Sequence, residues 1–160
     1  MMSSHVFEGS LVASSGKYAI VAARFNSNIV DLLLAGALHG LSRHGVADSD
    51  IETFRVPGSF EIPTIANALV KKQRYKAIIC LGAVIRGETD HYDYVSSAAT
   101  NGIAHLTKDS GIPVIYGVLT CDTLEQALNR AGGKSGNKGY EAAVTAIEMA
   151  NLLAQIKDLI

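Results

Sequence analysis

The sequence predicts an α/β fold, a parallel β-sheet with helices on both faces. Two observations carry that prediction. Short apolar runs rich in β-branched residues alternate four times with longer stretches of helical periodicity along the 160 residues. The joints between them are short and none has hairpin chemistry, so each strand is expected to return in the same direction through a helix. No internal repeat, low-complexity tract or linker divides the chain, which reads as one domain over 1–160 with a flexible start over 1–5.

Residues 6–11 form a short strand-like piece ahead of the Ser14-Ser15-Gly16 break. The run KYAIVAA, 17–23, is the first core strand. Ser27 or Asn28 can cap the helix that follows over 29–44, where apolar residues at 29, 32, 33, 37 and 41 make one stripe and Gly45 stops it. A second strand at 51–56 is cut by Pro57-Gly58. Ser59-Phe60-Glu61 then leads into a helix reaching about Gln73, with Pro63 tolerated in its first turn. The third strand, 77–85, is apolar throughout, as a strand buried on both faces requires, and its helix runs over 90–108. After Gly111-Ile112-Pro113 come a fourth strand at 114–119 and a short helix at 123–130. A glycine-rich joint at 132–139, expected as a flexible bend, precedes a closing helix at 140–159.

Hydrophobic residues make up 48% of the chain, charged ones 18%, and the net charge is −1. So lean a surface implies that part of the apolar excess lies in subunit contacts. The near-neutral charge argues against nucleic acid or an anionic membrane as partner. No run reaches the roughly 18 apolar residues of a membrane span. The start has no basic region followed by an apolar one, so no secretory signal is expected, and cytoplasm is the expected compartment. Cys80 and Cys121 lack CxxC spacing and are expected as buried free thiols.

Ligands of open parallel sheets gather at the carboxyl ends of the strands. Three stretches occupy those ends: Arg24-Phe25-Asn26, 56–61, and 83–91. Phe25 and Phe60 stand where a plain turn would be polar; they either cap the core or form a platform for a flat ring. Glu61 could bind the N–H edge of a heterocycle beside Phe60, although a carboxylate at a helix start is favoured by the dipole in any case. The third strand breaks at Arg86-Gly87, and Thr89 and Asp90 then open a helix. Backbone N–H groups and the helix dipole make that turn a candidate anion site. His91, in the first helical turn, is the one histidine of five at a strand end and a candidate general acid/base. His39 and His44, five apart on one helix, do not suit a metal pair. Gly133-Lys134-Ser135 fails as a P-loop, because the motif needs glycine at Leu128 and a preceding strand; no GxGxxG follows any strand. Arg130 and Lys138 flank that joint and could reach an anion.

At these residues the sequence closely resembles the lumazine synthase family from about Val6 to Leu153. The likeness rests on Ala23-Arg24-Phe25-Asn26, Val56-Pro57-Gly58-Ser59-Phe60-Glu61-Ile62-Pro63, Leu81-Gly82-Ala83-Val84-Ile85-Arg86-Gly87, His91-Tyr92-Asp93-Tyr94-Val95, and the stretch from Asn129 to Gly139. The resemblance implies a flavodoxin-like three-layer fold with strand order 2-1-3-4 and an N-terminal strand added to a neighbouring subunit. It implies a transferase of riboflavin biosynthesis. The reaction would condense 5-amino-6-(D-ribitylamino)uracil with 3,4-dihydroxy-2-butanone 4-phosphate, with no metal or other cofactor. By resemblance Phe25 and Asn26 flank the pyrimidine, Ser59, Phe60 and Glu61 hold the ribityl chain, and Ala83, Val84 and Ile85 meet the ring's polar edge. Gly87, Glu88 and Thr89 bind phosphate, and His91 transfers protons. Tyr116, Arg130 and Lys138 match positions that reach the site from an adjacent subunit, Arg130 pairing with the phosphate. The family commonly has Phe at the position of Tyr116, so an added hydroxyl there needs a partner or water. The resemblance further implies pentamers, assembled here into a 60-subunit shell that leaves room for riboflavin synthase as cargo. A non-catalytic lumazine or flavin carrier and a shell protein of the same fold remain as alternatives.

Overall fold

The computed structural model describes residues 4–160, so the start expected to be flexible lies mostly outside it. Lys17–Ala23 forms β1, Ile51–Val56 β2, Tyr75–Ile85 β3 and Val114–Cys121 β4. Neighbouring strands pair in parallel, and the order across the sheet is β2-β1-β3-β4, as expected.

β1 shows why the runs are apolar at every position. Tyr18, Ile20 and Ala22 enter the core on one face of the sheet, Ala19, Val21 and Ala23 the core on the other, and all are fully buried. Each buried Ile or Val contributes about 1.5–3 kcal/mol of transfer free energy. The first face packs against α1 (Ser27–Arg43), α4 (Leu124–Arg130) and α5 (Lys138–Lys157). The second packs against α2 (Ile62–Lys71) and α3 (His91–Asp109). Cys80 lies in the second core and Cys121 in the first, so the sheet separates the two free thiols. No helix among the described residues is long and apolar enough to cross a membrane.

Two local expectations are corrected, and the N-terminal strand expected on a neighbouring subunit's sheet is not formed within one chain. Residues 6–11 form no strand within the chain. Their segment lies along α5, where Asn151 Nδ2 donates to the carbonyls of Ser10 and Val12 at 2.7 and 2.9 Å and Gln155 Nε2 to that of Glu8 at 2.8 Å. A strand needs a ladder partner, and none stands beside this segment in one chain. Neither Ser27 nor Asn28 caps α1. The cap is Asn26, in the left-handed region at φ 59°, and its Nδ2 donates 2.8 Å to the carbonyl of Ala83 instead of turning back on the helix. The joint at 132–139 is not a loose bend. Ala131–Gly133 (β5) pairs antiparallel with Gly136–Asn137 (β6), and α5 starts at once, capped by Asn137 Oδ1, which accepts from the Tyr140 N–H.

Candidate active site

In this strand order the chain leaves β1 towards β2 and returns to β3 on the other side of β1. A crevice therefore opens between the carboxyl ends of β1 and β3. A cleft of about 710 Å³ lies there, lined by Phe25, Asn26, Pro57, Gly58, Ser59, Phe60, Glu61, Ala83, Val84, Ile85, Gly87, Thr89 and His91, with Tyr92, Tyr94 and Val95 from α3.

Exposure excludes a core cap for the two phenylalanines. Phe25 is 72% exposed and Phe60 59%, and Tyr94 stands at 72% on the facing helix. Rings that capped the core would be covered; these line the cleft. Ser59, in contrast, is 5% exposed and packs under the cleft against β3. A Cβ at Gly82 would stand 2.4 Å from Ser59 Oγ, so only glycine lets the turn after β2 close onto the third strand. The Asn26–Ala83 hydrogen bond joins the other lip to the same strand. Both lips of the cleft thus hang on the third strand.

Beyond Ile85 the turn at 86–90 leads into α3. Asp90, at the helix cap, makes no side-chain cap bond, and Thr89 Oγ1 accepts weakly from the His91 N–H at 3.4 Å. Arg86 is drawn away from this opening. Its Nε donates 2.9 Å to Asp122 Oδ1, its Nη1 lies 3.7 Å from Asp93 Oδ1, and its guanidinium carbon stands 4.3 Å from the Tyr92 ring centroid. The Asp122 hydrogen bond, with the Asp93 charge behind it, raises the Arg86 pKa further. An exposed aromatic cleft thus adjoins a helix start with an exposed histidine.

Over residues 15–154 the sequence matches the family described as 6,7-dimethyl-8-ribityllumazine synthase. The chain belongs to the lumazine synthase family. Members of that family are transferases of riboflavin biosynthesis, and the parallel sheet in order 2-1-3-4 between two helical layers is the lumazine synthase fold.

The cleft gathers most, not all, of the residues the sequence singles out. Glu88 is exposed in the turn without lining the cleft. Tyr116, Arg130 and Lys138 do not line it either. Tyr116 sits on β4, where its hydroxyl has the partner it needs in Thr100 Oγ1, 2.9 Å away on α3. Arg130 ends α4, close enough to Cys121 for its charge to act on that thiol, which burial pushes up. Lys138 opens α5 with Nζ 3.4 Å from Glu141 Oε2. The structure adds Tyr92, Tyr94 and Val95 to the cleft wall. Helical spacing from His91 would have found Tyr94 and Val95, since residues three and four apart share a face; Tyr92, the next residue along, is not reached that way. His39 and His44 both approach the ring of Tyr140, at 5.8 and 6.0 Å. Among the described residues no three of His, Cys, Asp and Glu are grouped so as to hold a metal ion.

Proposed function

We propose that this chain catalyses the condensation of 5-amino-6-(D-ribitylamino)uracil with 3,4-dihydroxy-2-butanone 4-phosphate to 6,7-dimethyl-8-ribityllumazine. The observation that carries the reading is the cleft itself, exposed rings beside a helix start with a histidine, in a chain of this family. The pyrimidine stacks on Phe25 beside Asn26, and the backbone at Ala83, Val84 and Ile85 meets its polar edge. Ser59, Phe60 and Glu61 hold the ribityl chain. Gly87, Glu88 and Thr89 bind the phosphate through backbone N–H groups and the Thr89 hydroxyl, the Glu88 side chain turning away. Attack of the 5-amino group on the ketone and loss of water form an imine. Phosphate then leaves, and attack by the ribityl-bearing nitrogen with loss of a second water closes the ring. His91 moves the protons these steps require. Both reactants are reactive in themselves, so alignment can supply much of the acceleration, up to about 7–11 kcal/mol in favourable cases.

Arg130, Lys138 and Tyr116 enter this reading from an adjacent subunit of a pentamer, the guanidinium fork of Arg130 matching the phosphate oxygens. A lone subunit is then inactive. Pentamers build a 60-subunit shell, for which the compact joint at 131–139 leaves the surface free of insertions, and riboflavin synthase is the cargo such a shell would enclose. The reading carries a cytoplasmic location with it, or an organellar one where a transit peptide precedes the chain. Mixing the two substrates with the protein and following lumazine absorbance tests the activity. A rate no faster than the uncatalysed one would favour a non-catalytic carrier. His91→Ala is expected to slow turnover without abolishing it and Arg130→Ala to slow it more, an ordering that a dead His91→Ala with a healthy Arg130→Ala would refute. Light scattering tests the shell, and a clean pentamer at neutral pH would exclude it.

A further inference from the structure

Arg86 is the one cation in the turn at 86–90, and charge alone would suit it to a phosphate. The geometry says otherwise. Its backbone N–H donates 2.9 Å to the carbonyl of Cys121 at the end of β4. Its guanidinium bonds Asp122, the next residue past that strand, at 2.9 Å, and pairs with Asp93 in the first turn of α3 at 3.7 Å. Its guanidinium carbon stands over the ring of Tyr92, in the same helical turn, 4.3 Å from the centroid. One side chain thus links the end of β4 to the start of α3 and spans the turn at 86–90 between them.

We propose that Arg86 is the positioning residue of this turn, a strut that fixes the Gly87–Thr89 backbone relative to α3, and that it does not itself contact phosphate. The inference rests on the reading of the turn as the phosphate site. To bind an oxyanion Arg86 would have to leave Asp122, and two carboxylates already neutralise it. The planar guanidinium serves the strut in three directions at once: an edge for each aspartate and a face for the ring. A lysine ammonium has no such face or fork, so charge alone cannot replace it.

The two roles give opposite signs for Asp122→Asn. Removing that carboxylate loosens a strut, but it would release a ligand and lower the negative charge near the phosphate. The experiment measures, on the assembled protein, the Ki of inorganic phosphate and the KM of each substrate for wild type, Asp122→Asn, Arg86→Lys and Thr89→Ala. Asp122→Asn and Arg86→Lys are both expected to raise the phosphate Ki and the KM of the phosphate-bearing substrate about threefold to tenfold, with the KM of the pyrimidine within about twofold. Asp122→Asn with phosphate bound as tightly as wild type, or more tightly, overturns the strut. Thr89→Ala keeps the two ideas apart. If it leaves the phosphate Ki unchanged, the turn is not the phosphate site and the inference falls with that reading. If Thr89→Ala weakens phosphate and Asp122→Asn does not, the reading stands and the strut alone fails. Should Arg86→Lys not assemble, Asp122→Asn still decides the question by its sign.

Discussion

Gly36 lies in the interior of α1, where alanine is ordinarily worth about 0.5–1 kcal/mol over glycine. Here the substitution should do harm. A Cβ at Gly36 would stand 2.2 Å from Asn137 Oδ1 and 2.4 Å from its Cγ, so the carboxamide would have to leave. That group makes three hydrogen bonds. Its Nδ2 donates to the carbonyls of Leu32 and Ala131 at 3.0 and 3.2 Å, and its Oδ1 caps α5 at 3.1 Å. Losing the cap costs about 1 kcal/mol, and each carbonyl left without its donor about 0.5–1 kcal/mol more. Gly36→Ala is therefore expected to destabilise by about 1–2 kcal/mol after the gain in helix propensity, and Asn137→Ala by about 2–3 kcal/mol. With Ala at 137 the obstacle is gone, so Gly36→Ala made there should stabilise by about 0.5–1 kcal/mol. Urea unfolding of the four proteins at one protein concentration closes the cycle, with an interaction energy of about 2–3 kcal/mol read from midpoints at constant m. Destabilisation of similar size in both backgrounds would refute the reasoning, since some neighbour other than Asn137 would then require the glycine.

Three further outcomes follow from the geometry. The Tyr75 hydroxyl, with Arg74 and Lys17 beside it, holds the Glu52 carboxyl below its ordinary 4.5, while burial and Glu52 push Tyr75 above 10.0. The Glu52 contribution is present above the unfolded carboxylate value and lost as pH falls through the lowered one. That of Tyr75 is present below its unfolded value and lost as pH rises through the raised one. The stability difference between wild type and Tyr75→Phe should thus be flat through neutral pH and shrink towards both ends, and a difference that stays constant into acid would contradict the pairing. Full burial pushes the Cys80 thiol up to about 12, so its alkylation near neutral pH should follow global unfolding, with the same urea dependence. Faster, urea-independent labelling would show a local opening. On the reading that the Tyr116 ring serves a neighbouring site, Thr100→Val should raise the KM of the pyrimidine about twofold to tenfold, and adding Tyr116→Phe should restore it, because no hydroxyl is then left without a partner. Failure of that rescue would leave Thr100 no role in aiming the ring.

What the sequence disclosed of the fold follows from where the governing contacts lie. β1 and β2 fall at 17–23 and 51–56 as expected. For β1, burial on both faces leaves no polar position to blur the run. β3 starts earlier than expected, at Tyr75, because its first turn of ladder includes the exposed Lys76, which reads as loop. The cap of α1 could not be read locally. Asn26 adopts its left-handed conformation with its carboxamide on Ala83, 57 residues away. The joint at 131–137 is the stronger case. Glycine-rich sequence carries no pattern of its own, and its order comes from Asn137 reaching a carbonyl of α1 105 residues back. Composition reports what a segment could do by itself; these two segments are held from elsewhere.

The site divides along the same line. Phe25, Ser59, Phe60, Glu61 and His91 are legible because strand ends of a parallel sheet are where ligands meet the chain, and the cleft gathers all five. The cations are another matter. Around the turn at 86–90 stand Glu88, Asp90, Asp93 and Asp122, all exposed, and the cation among them, Arg86, is engaged by Asp93 and Asp122. A phosphate dianion placed there gains the helix dipole, equivalent to about half a charge, against that acidic surround. Backbone N–H groups can orient the phosphate but cannot neutralise it. On the proposed reading the balance needs a cation from outside the cleft, and Arg130, which does not line the cleft of its own chain, answers that need when a second chain carries it in.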